Sequence, residues 1–310
     1  MHLVRTAASF PFNRVAAGSV ATIGAYDGLH VGHRKLLEHV LRISGQGGLP
    51  SIVMSFEPTP KEFFASSSPP ARLMRFREKF EVLAEAGVDI FFCPRFDDRM
   101  RGMSSATFIR QLLIHAMNVR QLVIGDDFCF AEGGRGTVDD LRRAGNALDF
   151  DVMQVPSVVI GGERVSSTAI RKALWNGELE HAARLLGRHY SMSGSVVRGD
   201  RLGRALGFPT ANVNLRRRQS PVMGIFAARV RGLRPEPLDA VASVGTRPTF
   251  GGTKPLLEVH IFDFDEDIYG AYIHVDFIAR LRSEEKFGGA RELIEQMHRD
   301  AARAKEILAT

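Results

Sequence analysis

An apolar run, a turn rich in glycine and histidine, and an amphipathic segment follow one another between residues 20 and 41. Residues 20–23 have the continuous apolar character of a buried strand. The segment after the turn has an apolar stripe at helical spacing, formed by Leu36, Leu37, Val40 and Leu41. The pattern predicts a strand that passes directly into a helix, which restricts this part of the chain to an α/β arrangement.

The turn at this junction carries Gly28, His30, Gly32 and His33. The first backbone N–H groups of a helix have no intrahelical partners and lie at the positive end of the helix dipole. Glycine lets a ligand approach the backbone, and imidazole can donate hydrogen bonds to phosphate oxygens. The turn therefore predicts a phosphate site, although two surface histidines beside a loop would have the same local pattern.

Residues 24–33 resemble the His-x-Gly-His signature of the nucleotidyltransferase superfamily. The resemblance implies that His30 and His33 stabilise charge on the phosphates of ATP during nucleotidyl transfer. It also implies that Gly24, Asp27 and Gly32 belong to the nucleotide site.

Length and composition are those of an ordinary globular protein that is large enough for two domains, with 310 residues, 45% hydrophobic and 25% charged. The net charge of +6 suits anionic nucleotide substrates, and the scattered arginines do not predict a nucleic-acid surface. Cys93 and Cys129 are too few for a disulfide framework and favour a reducing compartment. Without an apolar leader or a long apolar stretch, the chain is expected to be cytoplasmic and not to bind membranes.

Strands alternate with helices through the first half of the chain, with predicted strands at residues 51–56, 88–93, 121–124 and 151–155. This alternation predicts a parallel sheet with helices on both faces and a ligand site beyond the carboxyl ends of the strands. Asp127 follows one of these strands and is predicted to bind ribose or adenine, although a solvated turn is an equal alternative.

Residues 164–171 resemble the second superfamily signature, Ser-Ser-Thr-x-x-Arg. The resemblance implies that Arg164, Ser167 and Thr168 bind the nucleotide and that Arg171, one helical turn further on, returns to the same phosphates. A helix cap followed by a solvated arginine would look the same in isolation.

The character of the chain changes near Gly187, where short apolar runs separated by turns replace the alternation. Five strands are predicted at residues 193–197, 224–230, 240–244, 256–262 and 273–281, and a final helix at 290–308. Strands without intervening helices predict a barrel or a sandwich with the last helix packed outside. The expected domains are residues 1–187 and 188–310.

Glycines recur every four residues at Gly199, Gly203 and Gly207, where flexible backbone amides could surround a polyphosphate. Thr210 and Asn212 then offer neutral oxygen ligands for Mg²⁺. From the residues alone, a glycine-rich hairpin loop is the simpler interpretation. The segment 199–212, however, resembles the glycine-rich loop and Pro-Thr-Ala-Asn motif of riboflavin kinases.

With both halves combined, the chain resembles the bacterial bifunctional riboflavin kinase/FAD synthetase family over nearly its whole length. The resemblance implies that riboflavin and ATP give FMN at the C-terminal module, and that FMN and ATP give FAD at the N-terminal module, with Mg²⁺ in both steps. Partners would be small molecules, with an oligomer possible. Two alternatives are another phosphate acceptor, such as nicotinamide mononucleotide, and a flavin-binding regulatory protein with decayed sites.

The same resemblance assigns further residues. It implies that Glu258 is the general base on the ribityl hydroxyl of riboflavin, although the polar face of a strand would also explain this residue. It also implies flavin or nucleotide contacts for four residues, namely Phe56, Pro58, Phe208 and Phe226.

Overall fold

The structure, a computed structural model, describes residues 1–199, 203, 207–249 and 252–309. Residues 200–202 and 204–206 of the predicted glycine-rich segment lie outside the described residues. The chain divides into two compact units. The first comprises Met1–Pro70 and Met74–Val165, and the second comprises Ala71–Leu73 and Ser166–Thr310.

A parallel six-stranded sheet forms the centre of the first unit. Its strands, in chain order, are β1 (His2–Val4), β2 (Ser19–Ile23), β3 (Ser51–Met54), β4 (Ile90–Phe92), β5 (Val119–Gly125) and β6 (Asp151–Val155). The spatial order β1-β4-β3-β2-β5-β6 places β2 and β3 in the interior of the sheet. The predicted parallel sheet is therefore confirmed.

Helices cover both faces of this sheet. They are α1 (Val31–Gly47), α2 (Pro60–Phe64), α3 (Phe76–Glu85), α4 (Asp98–Arg101), α5 (Ser105–Phe108), which continues as a π-helix (Ile109–Ala116), and α6 (Val138–Leu148). Ile52 of β3 packs in a cluster with Leu113 of the π-helix, whereas its neighbour Val53 packs in a cluster with Leu37 of α1. Because successive strand side chains point to opposite faces, both faces are buried.

Two features of the first unit were not predicted from the sequence. Strand β1 has only three residues and pairs in parallel with β4 at the edge of the sheet. The residues around His2–Val4 lack the longer apolar run that predicts β4 within residues 88–93. A short hairpin of β7 (Val159–Ile160) and β8 (Glu163–Arg164) also follows β6.

The second unit begins with α7 (Ser167–Asn176) and α8 (Leu179–Leu186) and continues into a closed antiparallel barrel. The barrel strands are β9 (Tyr190–Val197), β10 (Ala211–Asn214), β11 (Gly224–Arg231), β12 (Leu238–Thr249), β13 (Gly252–Ile261) and β14 (Tyr272–Arg282). Their order, β10-β13-β12-β11-β14-β9, decides between the predicted barrel and sandwich in favour of the barrel. Strand β10 begins within the segment that the sequence pattern predicts as a glycine-rich loop.

The final helix, α9 (Ala290–Leu308), packs on the outside of the barrel. Its Ala304 and Leu308 contact a cluster that includes Ala227 of β11. On the same strand Phe226 points inward and is 1% exposed, and its ring makes an edge contact with Phe277 of β14 at 5.1 Å between centroids. The alternation along each strand separates a packed interior from an outer face.

We expect Phe277→Ala to lower the free energy of unfolding of the barrel unit by about 3 kcal/mol, because it leaves a cavity in a closed interior. Urea unfolding followed by the fluorescence of Trp175, the single tryptophan, which lies on α7, measures the change. Val197→Ala, at an exposed barrel position, is the matched control and should change the value by less than about 0.5 kcal/mol. Equal effects of the two substitutions would contradict the assigned core.

Candidate active sites

The turn between β2 and α1 has an unusual backbone. Tyr26 and Leu29, neither of them glycine, adopt positive φ angles of 48° and 42°. Such conformations are costly for ordinary side chains and persist where surrounding contacts determine them. One such contact joins the buried Tyr26 hydroxyl and the Thr22 hydroxyl at 2.5 Å, and another is the bond that the Gly24 N–H donates to the Met54 carbonyl at 3.1 Å.

Asp27 is a second anchor of this turn. Its buried carboxylate accepts a hydrogen bond from the backbone N–H of Met74 at 2.9 Å. The contact joins the turn to the chain just before α3, more than forty residues away. Asp27 therefore has a structural role that no local pattern indicated, and its role toward a nucleotide stays a prediction.

His30, which lies in the predicted turn between strand and helix, is the N-cap residue of α1. Its Nδ1 accepts a hydrogen bond from the His33 backbone N–H at 3.3 Å, so this nitrogen carries no proton in the observed arrangement. The two imidazole rings stack with 3.6 Å between centroids and 15° between planes. A Cβ at position 32 would lie 3.2 Å from His30 Nδ1, which explains why glycine suits that position.

His33 combines burial with an unsatisfied polar atom. Its Nδ1 is buried and has no hydrogen-bond partner among the described residues. Burial lowers the pKa of His33 well below 6.5, and repulsion from a protonated His30 and from the Lys79 ammonium lowers this pKa further. A buried nitrogen in need of a partner, beside the free N–H groups of a helix, fits an anionic oxygen ligand.

Ion pairs join β8 to the segment after β5. Arg164 contacts Asp127 at 2.6 Å and Asp126 at 3.6 Å. The Ser157 side chain and backbone N–H both donate to Asp126, which lowers the pKa of this carboxyl group. Two residues predicted to bind the nucleotide, Asp127 and Arg164, therefore lie together.

Ser167 and Thr168 are the first residues of α7, and Ser166 is its N-cap, accepting from the Ala169 N–H at 3.1 Å. Arg171 lies one turn into this helix, as its spacing indicated. Its Nε donates to the Ala71 carbonyl at 2.7 Å, within the second unit. A phosphate contact for Arg171 stays a prediction.

An aromatic cluster lies beside the Phe56-Glu57-Pro58 segment, in which the Glu57–Pro58 peptide bond is cis. The Phe96 ring makes edge contacts with Phe56, Phe63 and Phe64 at 5.3–5.8 Å between centroids. Phe64 is 61% exposed, so the cluster reaches solvent. Sequence analysis identified Phe56 but not the other three rings, although the adjacent Phe63 and Phe64 close behind Pro60 were a visible signal.

Register brings two predicted residues together on the barrel. Asn212 of β10 lies directly opposite Glu258 of β13, and on the other side Glu258 lies opposite Ser243 of β12. The flanking Leu257 and Val259 are buried in the interior, so Glu258 is on the outer face of the barrel. An amide, a carboxylate and a hydroxyl thus share one row of this face.

Two of the described glycines in the 199–212 segment pack closely against its end. A Cβ on Gly199 would lie 2.3 Å from Asn212 Nδ2, and one on Gly203 would lie 3.1 Å from Thr210 Oγ1. Gly207 has a positive φ of 83°.

Two histidines contact the residues that lead into β10. His260 Nδ1 lies 2.8 Å from the Pro209 carbonyl oxygen and donates to it. The Phe208 ring makes edge contacts with His260 and with His298 of α9. The two histidines therefore contact the residues directly before Thr210–Asn212. Phe226, by contrast, lies in the barrel interior and has a packing role in the described structure.

Comparison with known proteins agrees with this geometry. A family model described as FAD synthetase matches residues 13–169, and one described as riboflavin kinase matches residues 186–308. Bifunctional riboflavin kinase/FMN adenylyltransferases from Escherichia coli (strain K12) and Haemophilus influenzae are 46% and 41% identical. The alignments cover 94% of this chain in both cases, and 93% and 95% of those proteins.

A solved structure described as a macrolide-efflux protein from Streptococcus pneumoniae has the same fold. Its TM-score is 0.82 at 30% identity, with 98% of each chain covered. Among the described residues of the present chain, no helix is both long and apolar enough to cross a membrane.

Two modules in this order, one with a nucleotidyltransferase-type turn and one with a flavokinase barrel, define a class of enzymes that both phosphorylate and adenylylate flavins. The chain belongs to the bifunctional riboflavin kinase/FMN adenylyltransferase family.

The lowered pKa of His33 predicts how stability depends on pH. The unfolded chain binds a proton at this site near pH 6.5, whereas the folded chain does so only at lower pH. The stabilisation is therefore fully present above pH 6.5 and is lost as the pH falls toward the folded pKa. We expect His33→Gln to reduce the loss of unfolding free energy in urea titrations between about pH 7 and 5. The exposed His115→Gln control should keep the wild-type pH dependence, and an identical slope in His33→Gln would contradict the assignment.

Proposed function

We propose that residues 1–187 adenylylate FMN to FAD with ATP, and that residues 188–310 phosphorylate riboflavin to FMN. The observation that carries the proposal is the order of the family matches, the first covering the turn with His30 and His33 and the second covering the barrel strands with Asn212 and Glu258. The shared intermediate FMN then explains why one chain carries both sites. An acceptor other than FMN at the first site would leave the riboflavin kinase module without a partner reaction.

In adenylyl transfer, the protein contributes mainly by positioning the reactants and by stabilising charge. The phosphate of FMN is already ionised, so it can attack the α-phosphorus of ATP without a general base, and pyrophosphate leaves. We assign charge stabilisation to His30, His33 and the N-terminus of α1. The unpartnered Nδ1 of His33 supports this assignment. Gly24, Gly32 and the residues around Arg164 are assigned to the nucleotide.

Riboflavin phosphorylation needs a general base, because an alcohol must lose its proton as it attacks the γ-phosphorus. Glu258 is assigned as the base that takes the proton of the ribityl hydroxyl. Its position on the outer face, in register with Asn212, supports the role, since a substrate can reach that face and cannot enter the packed interior.

Thr210 and Asn212 would hold Mg²⁺ in the kinase unit. Asn212 lies opposite Glu258 in the register and Thr210 lies two residues before Asn212, and their hard amide and hydroxyl oxygens suit this cation. Mg²⁺ usually takes few protein ligands and completes its shell with phosphate oxygens and water, so two neutral ligands are sufficient. When bound, the cation neutralises charge on the phosphates.

The aromatic cluster of Phe56, Phe63, Phe64 and Phe96 is assigned to the flavin of the adenylyl-transfer step. Flat aromatic faces open to solvent suit a planar ring system. Both cysteines are free, one of them exposed, which supports a reducing compartment such as the cytoplasm.

We expect Gly199→Ala to lower the riboflavin kinase kcat by about tenfold or more, because the new Cβ must displace the Asn212 amide. Adenylylation of added FMN should be unchanged. Gly289→Ala is the matched control, since a Cβ there meets no neighbour within 4 Å. Wild-type kinase activity together with a wild-type Mg²⁺ requirement in Gly199→Ala would argue against the assigned ligands.

Chromatography of flavins over time tests the two activities. With riboflavin, ATP and Mg²⁺, FMN should appear before FAD. His33→Ala should stop at FMN, and Glu258→Ala should leave riboflavin unchanged yet still convert added FMN, each with a loss of about a hundredfold or more. His115→Ala and Glu236→Ala, at exposed positions, are the controls. A wild-type protein that leaves riboflavin untouched but consumes another phosphorylated acceptor would overturn the substrate assignment.

A further inference from the structure

Lys79 is a lysine in an unusual place. It lies on α3 and is 3% exposed, although lysine is among the residues least often buried. Its Nζ donates to the Ala25 carbonyl at 2.6 Å and to Ser55 Oγ at 3.2 Å. The Ser55 hydroxyl in turn donates to the same Ala25 carbonyl at 3.1 Å. An ammonium and a hydroxyl thus converge on one backbone oxygen.

That oxygen belongs to the turn that carries the two site histidines. Ala25 immediately precedes Tyr26, the first of the two residues with positive φ, and Ser55 directly follows β3. The Ser55 N–H is bonded to the Phe92 carbonyl at the end of β4. Lys79 therefore links the turn after β2 to the ends of two neighbouring strands.

Burial of an ammonium is costly unless its donors are satisfied, and an apolar side chain would fill the same space at lower cost. The buried ammonium of Lys79 is best explained by the conformation of the turn after β2, which its hydrogen bonds stabilise. Residues in strained backbone conformations persist only where several contacts determine them together. Lys79 of α3, Met74 in the segment before α3 and Thr22 of β2 each contact this turn.

We propose that Lys79 is a positioning residue for adenylyl transfer, which fixes the turn so that His30 and His33 lie at the start of α1 in reactive geometry. The inference rests on the proposed adenylylation of FMN by this unit. Lys79 acts through the Ala25 carbonyl and Ser55, so it is distinct from the groups that contact phosphate.

A second effect of the same charge gives an independent readout. His30 and Lys79 are the titratable neighbours that act on His33, and the Tyr26 ring lies 4.9 Å from the His33 ring. Because Lys79 opposes protonation of His33, its removal should raise the pKa of His33. A lysine that served only to fill space in α3 would not produce this shift.

The test compares Lys79→Met, which keeps an unbranched side chain one heavy atom shorter but removes its charge and its donors, with Lys79→Arg and with Lys61→Met. Lys61 is an exposed lysine of α2 and is the matched control. In Lys79→Met we expect the kcat for FMN adenylylation to fall on the order of a hundredfold with little change in the KM for ATP. Lys79→Arg should recover part of the loss, and Lys61→Met should match the wild type.

Two further measurements make the outcome decisive. Riboflavin kinase activity of the same chain should stay at the wild-type value in every variant. The His33 ring resonances, assigned by their absence in His33→Gln, should titrate at higher pH in Lys79→Met than in the wild type. Wild-type kcat and an unchanged His33 titration in a folded Lys79→Met would overturn the inference.

If Lys79→Met leaves the first unit unfolded, the Ser55→Ala variant tests the inference instead. This substitution removes one hydrogen-bond partner of Lys79 and leaves the ammonium in place. A lowered kcat at wild-type melting temperature supports the inference, and a wild-type kcat counts against it. Failure of the proposed function would look different, since the wild type itself would then form no FAD from added FMN.

Discussion

The first site depends on one interaction, the hydrogen bond from the His33 backbone N–H to the ring of His30. This bond caps the first turn of α1 and requires His30 Nδ1 to be unprotonated, and the two imidazole rings are stacked beside it. The helix N-terminus and both imidazoles therefore face the same place. An anion there meets hydrogen-bond donors and a helix dipole that are already oriented, so little reorganisation is needed when charge develops.

The contacts around the turn between β2 and α1 stabilise the conformation in which that bond forms. A turn with two strained residues cannot hold its conformation by local preference alone. Side chains or backbone groups from β2, from α3 and from the segment before α3 each contact it, through Thr22, Lys79 and Met74. The polar residues of the barrel need no such set of contacts. Strand alternation by itself separates the packed interior from the outer face that carries Glu258 and Asn212.

Much of the secondary structure could be read from local patterns. The predicted strand at residues 151–155 and the predicted helix at 290–308 have the observed bounds, because each has a clear period and clear ends. Strands β1 and β10 were missed, since His2–Val4 has no longer apolar run around it and β10 overlaps the end of the glycine-rich motif. The π-helix (Ile109–Ala116) continues α5 without a local signal, because its apolar spacing is close to that of an ordinary helix.

The sequence by itself determined the order of the two modules, the alternation that makes the first sheet parallel, and the residue types of each polar site, because these are properties of neighbouring residues. Only the tertiary structure decided which distant residues meet. It placed Asn212 opposite Glu258. It also brought the Met74 N–H into a hydrogen bond with the Asp27 carboxylate, and the Lys79 ammonium into one with the Ala25 carbonyl. Such pairings depend on strand register and on how elements pack, and no period or motif within a single segment records them.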